Sequence, residues 1–362
     1  MKIIQLLPEL NEGGVERGVV ELNREFVDRG HSSIVISNGG TMAKLIEEKR
    51  GQHIKFNVCS KNLLSVPQRA VKLRKILSGL KPDIIHARSR VPAWLCYFAN
   101  KNLHLPFVTT AHGMNSVNAY SRVMTFGDQM ICVSEVIKDY LLSNYKVDEQ
   151  KLHIIQRGVD MRLFEPGSLD KGFIKDFRQT HSLNDCFVVT SVGRITYLKD
   201  YESFIKAIAI LVKENVSVKG LIVGGVRVDK TEYLKGLRGL ASSLGVSDKI
   251  VFAGGQTKMP EIYELSDVLV NASLKMSNVA RTVTESLAMN TPVVTTTFEG
   301  LNNLVEEGKN GLIVAPQSPE DLAKKLIQLK RIPISETRST VNPEFTLEMM
   351  VEKTLAVYRS FQ

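Results

Sequence analysis

The chain has 362 residues, carries 47 Lys and Arg against 38 Asp and Glu, and is 43% hydrophobic and 23% charged. That length favours two domains of ordinary size over one very large core, and the composition excludes a disordered chain. No stretch approaches the ~20 consecutive apolar residues of a membrane-crossing helix. The opening run from Met1 is too short for a signal-peptide core and is broken by Pro8 and Glu9, so it reads as a first strand. Cys59, Cys96, Cys132 and Cys186 lie far apart and form no C-x-x-C pair. Neither a zinc site nor a disulfide framework is expected, and a cytoplasmic location fits.

Hydrophobic periodicity predicts strands at 3–7, 33–37, 84–86, 107–110 and 130–133, with helical stretches at 15–29, 42–49, 92–100 and 121–126 between them. After Arg157-Gly158-Val159-Asp160 a polar stretch to about 184 reads as a linker. A second series follows, with strands at 187–192, 218–223, 250–253, 268–271, 292–296 and 311–314. Its helices begin near Asp200, Thr231, Lys258, Arg281, Leu301 and Pro319. Strand and helix alternating twice over predict an α/β chain of two doubly wound, Rossmann-like parallel-sheet domains.

The net charge of +9 is unevenly spread. Between Lys55 and Arg90 nine Lys or Arg stand against Asp83 alone. Within that segment a predicted helix at 68–80 puts Ala70, Leu73, Ile76, Leu77 and Leu80 on one face and Lys72, Arg74 and Lys75 across from them. Such a helix, with Arg69, either lies against anionic lipid or is a solvated helix packed on a sheet. Nucleic acid is not expected, because no recognised binding module accompanies the charge.

Open α/β sheets bind ligands at the carboxyl ends of their strands, so the loops there carry the functional signal. No G-x-G-x-x-G follows a strand, and there is no G-K-[ST], G-x-S-x-G, D-x-D or H-E-x-x-H. A bound metal is therefore not expected. Instead, Gly13 and Gly14 lead directly into the first helix, where bare backbone and a helix N-terminus suit an anion. Arg194 and Lys199 follow the strand at 187–192 as two cations suited to a diphosphate. The segment from Ser277 through Asn278, Val279, Ala280, Arg281 and Thr282 enters another helix. One turn further in, Glu285 is placed to accept hydrogen bonds from ribose hydroxyls.

In order and spacing, these motifs resemble the family 4 glycosyltransferases of the GT-B fold over nearly the whole chain. They are G-G-V-E-R from Gly13, T-A-H-G at 110–113, R-G-V-D-x-x-x-F at 157–164, G-R-x-x-x-x-K at 193–199 and E-S-L-A-M-N-T-P-V-V at 285–294. H-A-R-S-R at 86–90 and P-A-W at 92–94 resemble a branch found in bacterial surface-polysaccharide loci. The resemblance implies an acceptor-binding domain at 1–165 and a nucleotide-sugar domain at 166–342, with a cleft between them. It also implies a C-terminal helix at 343–362 that crosses back to the first domain. It assigns the diphosphate of a UDP-sugar or other activated sugar to Gly14, Arg194 and Lys199, the ribose to Glu285, and the reacting sugar to His112. The implied reaction is retaining and metal-independent, builds lipopolysaccharide or another cell-surface glycan, and needs no cofactor. Ser277 stands where the family carries the first Glu of its paired motif, which leaves a sugar-nucleotide-binding protein without transfer activity as the alternative. Asn290 replaces the usual Gly and is expected to tolerate a left-handed backbone.

Overall fold

Strand β1 (Lys2–Leu6) buries Ile3 on one face and Ile4 and Leu6 on the other, so its sheet needs cover on both sides. The computed structural model, which describes residues 1–11, 13–227, 230–274, 279–297 and 304–362, shows that cover. The chain forms two units, Met1–Gly158 with Leu347–Gln362, and Val159–Thr346.

In the first unit, β1 is joined by β2 (Ser32–Ser37), β3 (Gln52–Lys55), β4 (Ile84–Ala87), β5 (Phe107–Ala111), β6 (Gln129–Cys132) and β7 (Leu152–Ile154). All pairs are parallel, in the order β3-β2-β1-β4-β5-β6-β7. The helices are α1 (Gly14–Asp28), α2 (Ala43–Glu48), α3 (Val66–Leu80), α4 (Arg90–Asn100) and α5 (Glu135–Asn144). On one face, Ile4, Leu6, Ile85 and Ala87 pack with Leu73, Leu77, Leu95 and Cys96 of α3 and α4. On the other, Ile3, Ile84 and Val108 pack with Phe26 of α1 and with Val351, Leu355 and Tyr358 of the C-terminal helix (Leu347–Arg359).

The second sheet contains β8 (Phe187–Val192), β9 (Val218–Val223), β10 (Ile250–Gly254), β11 (Val268–Asn271), β12 (Val293–Thr296) and β13 (Gly311–Val314). Its order is β10-β9-β8-β11-β12-β13, again parallel throughout. Its helices are α6 (Lys171–Thr180), α7 (Tyr201–Lys213), α8 (Thr231–Ser243), α9 (Met259–Glu264), α10 (Val279–Ala288) and α11 (Pro319–Arg331). Among the described residues, no helix is long and apolar enough to cross a membrane.

The expected linker up to 184 is corrected by α6. Asp170 caps this helix by accepting the Phe173 N–H at 2.9 Å, and Phe177 is buried on its inner face. The stretch is polar because only one stripe of a surface helix is covered. Strands β3 and β7 and helix α5 also go beyond the predicted elements. The expected helix near Leu301 lies outside the described residues. Asn290 has φ of +58°, the left-handed conformation expected of it.

Candidate active site

Strand order reverses between β1 and β4 in the first unit, and between β8 and β11 in the second. A crevice opens at such a switch because neighbouring connections depart to opposite faces.

In the first unit the loops after β1, β4 and β5 enclose a cavity of about 210 Å³, lined among others by Pro8, Glu16, Arg88, Arg90, Thr110 and His112. Arg157 Nη2 donates to His112 Nδ1 at 3.2 Å. A guanidinium only donates, so Nδ1 is the acceptor and the neutral ring carries its proton on Nε2. Burial, then Arg157, Arg88 and His86, hold His112 well below the usual histidine pKa, which keeps the ring neutral at pH 7. Nε2 is buried and meets no partner among the described residues, so a proton donor is available at the cavity wall. Behind it, His86 is fully buried between the Tyr358 hydroxyl and Thr110 Oγ1, each 2.6 Å away. Arg88 Nη1 donates to Thr110 Oγ1 at 3.2 Å. Gly13 precedes α1 with no side-chain cap, and Gly14 is its first residue. A Cβ on Gly14 would stand 2.7 Å from Arg157 Nη1, so this glycine lets the guanidinium reach the start of α1.

In the second unit, β8 ends at Val192 and a short turn carries Lys199 back over it. Lys199 Nζ donates to Ser273 Oγ at 3.2 Å, and Ser273 Oγ donates to Asn271 Oδ1 at 2.6 Å. The turn packs tightly on the strand end, because a Cβ on Gly193 would fall 2.7 Å from Lys199 Cε. Lys199 has no carboxylate within ion-pair range among the described residues. Burial and the nearby Arg194 lower its pKa from 10.5 to about 8. Arg194 is exposed. Two cations of one sign, one of them drawn out of water, create a field that a diphosphate would satisfy.

Glu285 is buried on α10, where Oε1 accepts from Arg281 Nε at 2.8 Å and Oε2 from the Tyr263 hydroxyl at 2.9 Å. The ribose contact expected of it would have to share oxygens that already hold Arg281 and Tyr263. Val279, Ala280 and Thr282 lie on the same helix, whereas Ser277 and Asn278 lie outside the described residues. Sequence reasoning missed Arg88, Arg157, Thr110, Ser273 and Tyr263 as contributors. Their signal was position, since each except Tyr263 lies within three residues of the C-terminal end of a sheet strand.

The basic face of α3 differs from the one expected. Arg69 is only 6% exposed and donates to the carbonyls of Ser60, at 2.9 Å, and Asn62, at 3.3 Å. Arg74 donates to the carbonyls of Phe98 and Ala99 at the end of α4, both at 3.1 Å. Two of the four cations therefore satisfy backbone acceptors inside the unit, leaving Lys72 and Lys75 exposed. The 3-10 turn before α3 exposes Leu63 by 77% and Leu64 by 92%.

The family model for Glycosyltransferase Family 4 matches residues 12–163, and that for Glycosyl transferases group 1 matches residues 173–342. The chain belongs to the family 4 glycosyltransferases. The crystal structure of a glycosyltransferase from Rickettsia africae ESF-5 matches with a TM-score of 0.89 and 29% identity, over 99% of this chain and 98% of that one. Anabaena HepE in complex with UDP-glucose matches with a TM-score of 0.86 and 19% identity, over 99% of this chain and all of that one, a likeness of GT-B fold. The D-inositol 3-phosphate glycosyltransferase of Actinosynnema mirum is 27% identical over 274 residues, covering 69% of this chain and 64% of the relative. The match thus spans less than two thirds of that relative's length.

Proposed function

We propose that this family 4 glycosyltransferase is a retaining, metal-independent enzyme that moves a sugar from a nucleoside diphosphate to a lipopolysaccharide or other cell-surface glycan acceptor. The observation that carries the reading is Lys199, an ammonium drawn out of water beside Arg194 at the switch point of the second sheet, with no acid paired to it among the described residues. A donor diphosphate supplies the missing negative charge, and UDP is the nucleotide bound by the structural relative HepE. On this reading Gly13 and Gly14, the α10 amides from 279 to 282, and Glu285 toward the ribose are the further donor contacts.

In the reaction, the acceptor oxygen bonds to the anomeric carbon on the face from which the phosphate leaves. The bond from that carbon to the β-phosphate oxygen breaks, and the departing phosphate takes the acceptor proton. Negative charge grows on the phosphate as this happens, and Arg194 and Lys199 stabilise it more in the transition state than in the ground state. Because these cations offset the charge, the reaction does not require a bound metal. His112 donates from Nε2 to a hydroxyl of the transferred sugar and orients it.

The first unit holds the acceptor. Lys72, Lys75 and the exposed Leu63 and Leu64 support peripheral contact with an anionic membrane at its cytoplasmic face, where a lipid-linked glycan would be met. The test is turnover of Arg194→Ala and Lys199→Ala with a sugar nucleotide. Each should lower the rate by about two orders of magnitude, as loss of one charge-stabilising donor does. Wild-type turnover in both variants would remove the diphosphate site from this reading.

A further inference from the structure

Arg88 is the least explained charge in the first unit. It is 7% exposed, stands at the switch point after β4, and lines the cavity beside His112. Its neighbours His86, Thr110 and His112 are neutral groups, and among the described residues it forms no ion pair and its Nε meets no partner. A guanidinium cannot shed its charge as a lysine can, so burying it without an anion is costly. The next residue, Ser89, has extended backbone at the N-cap of α4 but makes no side-chain cap, so the amides of Arg90 and Val91, which precede Pro92, lack a side-chain capping acceptor. Arg90 opens the helix, lines the same cavity, and is held over the Tyr120 ring by a 3.1 Å hydrogen bond to Ser121 Oγ. The acid among the lining residues is Glu16, whose carboxylate lies over Gly13.

We propose that this cavity binds a phosphate ester of the acceptor, held between the Arg88 guanidinium and the N-terminus of α4 with Arg90 as the second cation. Two arginines and a helix N-terminus match the double charge of a phosphate monoester better than the single charge of a carboxylate. The inference rests on the reading of the first unit as the acceptor side, and it narrows the acceptor to a phosphorylated one. The phosphate belongs either to a soluble sugar phosphate or to a lipid headgroup.

Trp94, the single tryptophan of the chain, sits on α4 one turn beyond Arg90 and reports on the site. Inorganic phosphate, titrated at constant ionic strength against chloride and acetate, should give a saturable change in Trp94 fluorescence and raise the thermal midpoint. Arg88→Met should weaken the response at least tenfold. It should also melt no lower than wild type without phosphate, because it removes an uncompensated charge. Arg90→Gln, at a half-exposed position, should weaken the response severalfold and guards against a folding defect in the first variant. Glycerol 3-phosphate, and phosphatidylcholine vesicles with and without phosphatidic acid, then separate the sources. Arg88-dependent binding of the first indicates a soluble ester, and of the phosphatidic acid vesicles a lipid one.

Absence of a phosphate response, a full wild-type response in Arg90→Gln, or loss of the response in saturating UDP would overturn the proposal. The last result would return the cavity to the donor. Sugar-nucleotide turnover is scored separately. Turnover without a phosphate response removes this site and leaves the transferase reading, while the reverse leaves the site and removes transfer.

Discussion

Replacing Lys199 with Met should make the ligand-free protein more stable while removing most of its affinity for a nucleoside diphosphate. Lowering an ammonium pKa from 10.5 to about 8 corresponds to about 3 kcal/mol against the charged form. The hydrogen bond to Ser273 Oγ returns about 1 kcal/mol, and Ser273 keeps Asn271 as its acceptor. Met has similar length and no charge, so a net gain of about 2 kcal/mol, or roughly 4–8 °C in the melting of a domain this size, is expected. The sign follows from proton binding. Below pH 8 Lys199 is charged in the folded and the unfolded chain, and the full penalty applies. Between pH 8 and 10.5 the unfolded chain binds more protons, so wild-type stability rises with pH and the gap to the variant closes. Calorimetric scans at pH 7 and pH 10, with UDP titrations at pH 7, read both effects. A variant less stable at pH 7, or one binding UDP as wild type does, would show that Lys199 is a structural cation and not a phosphate ligand.

Glu285→Gln takes the carboxylate from the buried Arg281 and should cost about 3 kcal/mol or more in urea unfolding, whereas Tyr263→Phe, which removes one hydrogen bond, should cost about 1 kcal/mol. Because burial and Arg157 keep His112 neutral, His112→Asn should lower turnover yet leave the shape of the pH–rate profile between pH 6 and 8 unchanged; a wild-type inflection near 6.5 that the variant lacks would contradict this. Lys72→Glu with Lys75→Glu should reduce sedimentation with anionic liposomes at low salt, by up to about 1 kcal/mol for each lysine, and the difference should vanish at high salt. Equal sedimentation at low salt would make α3 a solvated face only.

The strands of the second sheet were legible because they are short apolar runs, most of them largely buried, as Val218–Val223 and Val268–Asn271 show. Strands β3 and β7 were not. Gln52–Lys55 is an edge strand with no buried residue, and Leu152–Ile154 has only three residues, too few to display a period of two. Helices α5 and α6 carried usable signals in Ser134 and Asp170, side chains that cap them, but the polar residues around Asp170 masked the stripe of Phe173 and Phe177. At the candidate site, Arg194 and Lys199 were visible because they follow a clear strand. Arg88 was hidden for the opposite reason. A predicted helix starting at Pro92 set the helix N-terminus too far from it, whereas the observed helix begins at Arg90, two residues after Arg88, and seats Pro92 in its first turn, where a missing N–H costs nothing. The basic stripe on α3 was legible as a pattern of charge but not as a surface, since hydrogen bonds from Arg69 and Arg74 to backbone carbonyls depend on distant loops.

Transfer from a nucleoside diphosphate sugar with retention, supported by protein cations, is the reaction proposed for this protein. Its most direct test is proton NMR of the purified protein with a panel of UDP-, GDP- and ADP-sugars, following slow hydrolysis and the anomer first released, with and without EDTA. Turnover of at least one donor, a UDP-sugar first, is expected, with release of the sugar in its original anomeric configuration and no effect of the chelator. Release of the opposite anomer would contradict the retaining reaction. An EDTA-sensitive rate restored by Mg²⁺ or Mn²⁺ would contradict the role given to Arg194 and Lys199, and donor binding with no turnover by any sugar would mark a binding protein instead of an enzyme.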